Sequence, residues 1–432
     1  MSNLLRRLDS EVCKANLHPA GNRRQLLPEF LILPRLFRYT CTVDKERISE
    51  GHYFDWAATA PPDPAVAEAA RRFAEAGVFG NPSSAHRAGR LAKEALERAR
   101  ADIAGVLEVP PGTLFFTSGG TEANCIALYA MLGRQGSGRI MASLGEHPSV
   151  RENLGNLGRL GKKVGDLPLD PSGRVSPEPL ARALVRHPDA RFAAMMAVNG
   201  ETGAIGDLAA LRDVLRRSAG PPIHFHCDMV QALGKIPVDL AGLDLDSASF
   251  SGHKLGGPRG IGLLYLKKPC PVLYMGGGQE GGIRPGTENV AGAVALAECI
   301  RRRAAAPVLE RNLEAADLRC RELLSGLVAM PRCTPIPADR KPGDPRFSPY
   351  VLQVGFKGIP GEVMVRALDE RGFAVSTGSA CSSATPDRPV LKAMGIGPEL
   401  AREGIRISQG PETGPEEIAL LLGAIREVLK FL

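Results

Sequence analysis

Phe116-Thr117-Ser118-Gly119-Gly120-Thr121-Glu122-Ala123-Asn124 reads as the end of a strand, a glycine pair and the first turn of a helix. Leu114–Thr117 is the short apolar, β-rich run, and the helix continues through Leu132. Glycines let a backbone approach a ligand closely. A helix N-terminus offers unpaired N–H groups and a positive dipole end, which suit phosphate. Taken alone, the stretch fits an ordinary strand-to-helix turn equally well.

The same alternation extends outward. Strand-like runs fall at Arg139–Leu144, Phe192–Val198, Ile223–Asp228, Ser247–Phe250 and Gly262–Leu266, separated by helical or loop segments. Pro64–Ala76 and Ala88–Leu107 carry apolar residues at helical spacing. This predicts an α/β domain with a mostly parallel sheet covered on both faces. Ligands of such sheets bind beyond the carboxyl ends of the strands. After about Ala291 a helix runs through Arg303 toward Val328. Strands at Tyr350–Val354, Ala374–Ser376 and Ile405–Ser408, with helices at Gly361–Arg371 and Pro415–Leu429, predict a smaller α+β domain. The expected division is 53–290 for the large domain and 291–432 for the small one, with 53–65 able to pack on the small one. Residues 1–52 lack a regular period and read as a weakly ordered extension or a start placed too far upstream. Asp9, Glu11, Glu29, Asp44 and Glu46 argue against an acid-poor transit peptide there.

Composition narrows the function classes. A formal net charge of +7 over 432 residues, with 5% aromatics and no basic stripe, speaks against nucleic-acid binding. No apolar run reaches the roughly 18–20 residues of a membrane span. The nine cysteines are odd in number, irregularly spaced and without a CxxC pair. That pattern points to a reducing, cytoplasmic setting rather than a disulfide framework or zinc site.

Four further clusters carry chemistry. Asp228 ends an apolar strand in His226-Cys227-Asp228-Met229-Val230-Gln231, where a carboxylate could hold a protonated ring nitrogen. His224, His226 and Asp228 alternate on one strand face, but no further cluster with ligand spacing supports a metal, and none is expected. Lys254 lies in Ser251-Gly252-His253-Lys254-Leu255-Gly256-Gly257, among small and apolar neighbours. Desolvation there can make an amine a Schiff-base nucleophile, and Ser251 and His253 add phosphate donors. Glu146-His147 follows a strand. Its ring fits either a surface histidine or one stacked on a cofactor and moving protons near neutral pH. Cys381 sits in Gly378-Ser379-Ala380-Cys381-Ser382-Ser383, among tiny polar residues that read as an exposed loop and leave a thiol accessible as a nucleophile.

Together these segments resemble the cysteine desulfurases, in particular the group whose active cysteine lies in an SSGSACTS-type loop. The likeness runs from Tyr53-Phe54-Asp55-Trp56-Ala57-Ala58-Thr59-Ala60-Pro61 through Phe79-Gly80-Asn81-Pro82-Ser83-Ser84 and every cluster above to Arg406-Ile407-Ser408. It implies the pyridoxal 5'-phosphate (PLP) type I aminotransferase fold and a homodimer. It implies that Lys254 binds the cofactor covalently, Asp228 meets the pyridine nitrogen, Gln231 the phenolic oxygen, and His147 stacks on the ring. Gly120, Thr121, Ser251 and His253 would hold the phosphate, with Thr287 reaching across from the other subunit. Asn199 and Arg406 would meet the substrate, L-cysteine. Cys381 would take its sulfur as a persulfide and pass it to an acceptor or iron-sulfur scaffold protein. The rival readings are a selenocysteine lyase or other PLP enzyme of the same fold, and a low-activity paralogue acting as a partner subunit.

The sequence departs from that family at four places. Gly200 stands where a second asparagine is usual, Gly206 where Gln is common, and Gly281 and Pro411 where Arg is common. The expectation is a slower enzyme, or one tuned to a different substrate or acceptor.

Overall fold

The computed structural model describes residues 52–133, 138–272, 274–378 and 388–432. Residues 1–51 of the expected extension lie outside these. The described chain opens with β1 (His52–Tyr53), α1 (Pro64–Glu75) and α2 (Arg87–Leu107). Strands and helices then alternate: β2 (Leu114–Thr117), α3 (Gly120–Gly133), β3 (Arg139–Ser143), α4 (Pro148–Arg159), β4 (Val164–Leu167), α5 (Pro177–Arg186), β5 (Ala190–Ala194), α6 (Leu208–Arg217) and β6 (His224–Asp228). β7 (Ser247–Ser251) and β8 (Gly262–Leu266) complete the large sheet. α7 (Val290–Ala304) and α8 (Ala306–Val328) lead to β9 (Cys333–Ile336), β10 (Val351–Phe356), α9 (Gly361–Asp369) and β11 (Phe373–Ala374). α10 (Pro389–Ala393), α11 (Pro398–Glu403), β12 (Gly404–Ser408) and α12 (Pro415–Phe431) end the chain.

The large sheet has the order β2-β8-β7-β6-β5-β3-β4. From β7 to β4 all neighbours pair in parallel, while β8 is antiparallel to both β7 and β2. The carboxyl ends of β2, β3, β5, β6 and β7 therefore share one edge. Side-chain alternation feeds a core on each face. Phe192 and Ala194 of β5 join one apolar cluster, whereas Ala193 and the following Met195 join the other. β4, with the sequence Val-Gly-Asp-Leu, escapes a hydrophobic-pattern reading because as the edge strand it is half open to solvent.

The second sheet is antiparallel, in the order β12-β10-β9. β1 pairs in parallel with β11, and Asp55 bridges to Ser408, so the start of the described chain lies against its C-terminal part. The helix expected to run unbroken toward Val328 is two helices. Ala305 is extended (φ −61°, ψ 132°) and Pro307 sits in the first turn of α8, where its missing N–H does no harm. Ala293, Leu296 and Ile300 of α7 belong to the core of the large sheet, so this helix packs with the part N-terminal to the expected 290/291 division.

One buried ion pair ties the 276–286 segment to the sheet. Arg100 of α2 grips Glu280 with both terminal nitrogens, at 2.6 and 2.8 Å, and Glu280 also accepts from the Phe116 N–H at 2.6 Å. The side chains of Arg100 and Glu280 are only 8% and 1% exposed. Replacing Arg100 with Met would leave a buried carboxylate unpaired and is expected to cost about 3–5 kcal/mol in urea denaturation. A loss below about 1 kcal/mol, the range of a surface pair, would contradict this role.

Candidate active site

Lys254 follows β7 directly, in a single 3-10 turn. Its Nζ donates to the carbonyls of Ala57 and Ala58, each at 2.7 Å. Gln231 donates to the same Ala57 carbonyl at 2.9 Å. Lys235, four residues further, donates to Gln231 Oε1 at 2.5 Å. Lys235 is buried, and burial, then Lys254 and Arg406, push its pKa down to about 7. A small cavity touches Lys254, Lys235, Trp56, Arg303, Tyr350 and Pro411. One of the four departures from the family thus lies beside the predicted catalytic amine.

Asp228 ends β6 and is buried. Its Oδ1 accepts the Val230 N–H at 3.0 Å and its Oδ2 accepts Asn124 Nδ2 at 2.8 Å. His147 caps α4, with Nδ1 accepting the Ser149 N–H at 3.1 Å. Part of His147 is open to solvent, yet burial is the largest influence on its ring and lowers its pKa. Asp228 opposes that shift and Lys254 reinforces it, so the three predicted groups lie within electrostatic reach of one another. His224 and His226 are engaged otherwise: both bind Ser247 Oγ, at 2.7 and 2.8 Å, and His226 also binds Asn124.

The Gly119-Gly120 turn meets the β7 end. A Cβ on Gly120 would fall 2.6 Å from Cγ2 of Val230 and 3.6 Å from Cβ of Ser251, so no side chain fits there. Thr121 is exposed in the first turn of α3, where N–H groups have no intrahelical acceptor. Ser251 is buried, and His253 Nδ1 lies 3.1 Å from Thr59 Oγ1. Burial, then Lys254 and Arg259, push the His253 pKa down to about 4. A bound phosphate would oppose that shift. Thr287 is exposed on the loop before α7.

Asn199 is engaged within the fold. Its Oδ1 accepts the N–H groups of Glu201 and Thr202, both at 2.9 Å, and its Nδ2 donates to Gly145 O at 3.0 Å. These bonds hold the 199–203 turn. Gly200 is the residue that faces the cluster: a Cβ there would lie 3.4 Å from Gln231 Cγ and Nε2. Arg406 is buried, donating to Gly200 O at 2.9 Å and Asp55 Oδ1 at 2.7 Å. Its Nε has no partner among the described residues. Cys381 lies outside the described residues. The chain leading to it is anchored at the site, since Ser376 and Arg406 exchange backbone hydrogen bonds and Gly378 lies against Glu201.

The sequence reading missed the roles of Asn124, Ser149, Asp55 and Lys235. Asn124 and Asp55 were in quoted motifs, but pairing partners more than 100 residues away cannot be read from spacing. Glu146 was quoted only beside His147. It is buried, accepts the Met196 N–H at 2.7 Å through Oε1, and leaves Oε2 without a partner among the described residues. Burial, then Asp228, push its pKa up to about 8. A raised folded pKa means stability that is full below the unfolded value and lost as pH rises through the folded one. Unfolding free energy should therefore decline between about pH 4.5 and about pH 8, by up to a few kcal/mol from this group. Glu146→Gln keeps the shape without the titration and should flatten that slope in denaturation series. An unchanged slope would contradict a protonated Glu146.

Residues 52–421 match the family model described as Aminotransferase class-V. The chain is 36% identical over 388 residues to the NifS/IcsS protein homolog of Lactobacillus delbrueckii subsp. bulgaricus, spanning 87% of this chain and 96% of that one. It is 35% identical over 388 residues to cysteine desulfurase IscS of Klebsiella pneumoniae subsp. pneumoniae, spanning 87% and 92%. A solved NifS-like protein superposes with a TM-score of 0.80 at 34% identity, covering 88% of this chain and all of that one. With its parallel sheet and a lysine, aspartate and histidine gathered at the carboxyl edge, the chain belongs to the class-V aminotransferase family, in the company of the NifS and IscS cysteine desulfurases.

Proposed function

We propose that this protein is a PLP-dependent cysteine desulfurase that moves sulfur from L-cysteine onto Cys381 and releases L-alanine. The observation that carries this reading is the convergence of Lys254, Asp228 and His147 at one sheet edge. The residues present fit the cofactor. Asp228 offers a buried carboxylate for the ring nitrogen, and the Gly120 turn beside Ser251 admits a phosphate where no side chain fits. Lys254 would hold the cofactor covalently, His147 would lie against its ring, and Gln231 would reach its phenolic oxygen. Gly120, Thr121, Ser251 and His253 would hold the phosphate. When bound, PLP supplies a ring that withdraws electrons from the substrate carbon.

The chain's own groups do the rest. The Nε of Arg406, which has no partner among the described residues, leaves a buried guanidinium donor for the substrate carboxylate. Lys254 would move a proton at the substrate carbon. The Cys381 thiolate attacks the substrate sulfur: the carbon–sulfur bond breaks, a sulfur–sulfur bond forms, and the carbon fragment leaves as alanine after gaining a proton. Gly378 is three residues before Cys381, a reach of at most about 11 Å. The persulfide then passes its outer sulfur to an acceptor protein serving iron-sulfur cluster or thio-cofactor assembly.

Two further features support a homodimer. Phe79 and Met275 are each 87% exposed, and Thr287, exposed as well, would be open to a neighbouring copy. A reducing, cytoplasmic setting is supported by the free thiols at Cys125, Cys227, Cys299, Cys320 and Cys333. No helix among the described residues is long and apolar enough to cross a membrane.

Purified protein should be yellow and release alanine and sulfide from L-cysteine plus a thiol reductant. Cys381→Ser should keep the colour and lose turnover by at least about 100-fold. Full alanine release by Cys381→Ser would transfer the reading to another PLP reaction. At Gly200, a restored side chain would regain a hydrogen bond worth about 1.4 kcal/mol. Gly200→Asn should therefore raise kcat/KM for L-cysteine about tenfold. No gain would show that the gap beside Gln231 does not limit the enzyme.

A further inference from the structure

The ring of His147 is oriented by donors it cannot refuse. Nδ1 accepts the backbone N–H of Ser149 at 3.1 Å. A backbone N–H only donates, so Nδ1 carries no proton, and in the neutral ring the proton sits on Nε2. The surroundings enforce the same assignment. Asn124 Nδ2 donates to Asp228 Oδ2 and to Ser149 Oγ, both at 2.8 Å. A carboxylate only accepts, so this edge of the Asn124 amide is the NH2. Having accepted from Asn124, the Ser149 hydroxyl directs its own hydrogen to His147 Nδ1, 2.9 Å away.

The other edge of Asn124 agrees. Oδ1 accepts from Ser249 Oγ at 2.5 Å and from His226 Nε2 at 2.9 Å. His226 Nδ1 accepts the Ser247 hydroxyl at 2.8 Å, and His224 Nε2 donates to that same oxygen at 2.7 Å. Every hydrogen in the relay then has a single direction, and His147 is its end. Nε2 of His147 makes no hydrogen bond to the described residues.

We propose that the Asn124–Ser149 relay locks His147 as the neutral Nε2–H tautomer, a fixed hydrogen-bond donor, and leaves Lys254 to carry the proton. Its catalytic half rests on the function proposed above; the tautomer does not. Protonating Nδ1 would set a new N–H against the Ser149 N–H and hydroxyl. The charged groups facing the ring are Asp228, which favours its cation, and Lys254, which with burial disfavours it. Asn124 and Ser149 bring no charge from α3 and α4. Both are positioning residues, acting through His147 and Asp228.

The test is ring 15N NMR on full-length protein labelled at histidine, with His147→Gln to assign the signals. The expected pattern is the Nε2–H tautomer at about pH 7, in the cofactor-free and PLP-loaded protein alike. In Ser149→Ala the ring should titrate about half to one pH unit higher, and Ser149→Thr should restore the wild-type midpoint. A charged or Nδ1–H ring at about pH 7, or an unchanged midpoint in Ser149→Ala, would overturn the lock. His147→Gln keeps an N–H donor but cannot titrate. The shape of its pH profile for alanine release should match that of wild type, and the loss of an ionisation from that profile would return the proton to His147. Wild-type protein that turns over no cysteine would sink the function without touching the tautomer.

Discussion

The buried hydrogen bond from Asn124 to Asp228, 2.8 Å long, joins the two halves of the site. Asn124 stands in the first turns of α3, just beyond the Gly119-Gly120 turn. Asp228 ends β6 at the centre of the sheet. The bond sets the carboxylate in place, and through Ser149 the same amide reaches His147. The Gly119-Gly120 turn, Asp228 and His147 are thereby fixed relative to one another by one side chain. A buried, fully paired amide of this kind is costly to disturb, because breaking one bond strands several polar groups.

The charge balance of the site points the same way. Burial, reinforced by Lys254 and Arg406, lowers the pKa of Lys235, and burial with Lys254 lowers that of His253. Asp55 answers Arg406, and backbone carbonyls answer Lys254. Such a gathering of cations at a sheet edge suits a ligand carrying phosphate and carboxylate groups. Gly200 and Pro411 lie within this region, at Gln231 and Lys254, so two of the four departures from the family pattern fall where substrate would be handled.

Much of this was legible in the sequence because local rules act locally. The strands Leu114–Thr117 and Gly262–Leu266 are where their apolar runs place them. Gly120, Lys254 and Asp228 follow strands, and parallel topology carries strand ends to one edge. Other features needed the fold. β4 lacks the pattern of a buried strand, and Ala305 breaks a helix whose apolar spacing runs on. Asn199 closes its own turn, which its place in the motif does not reveal. The partners of Asn124, Arg100 and Asp55 lie 104, 180 and 351 residues away, and no spacing rule spans that distance.

The central claim is that Lys254 is the amine that anchors the cofactor. Borohydride reduction of the PLP-loaded protein, followed by peptide mapping by mass spectrometry, tests it directly. The account predicts the cofactor's mass on the peptide containing Lys254. Lys235 is the informative rival, since it lines the same cavity and its pKa is already pushed down to about 7. Label on Lys235, or on neither lysine, would contradict the account.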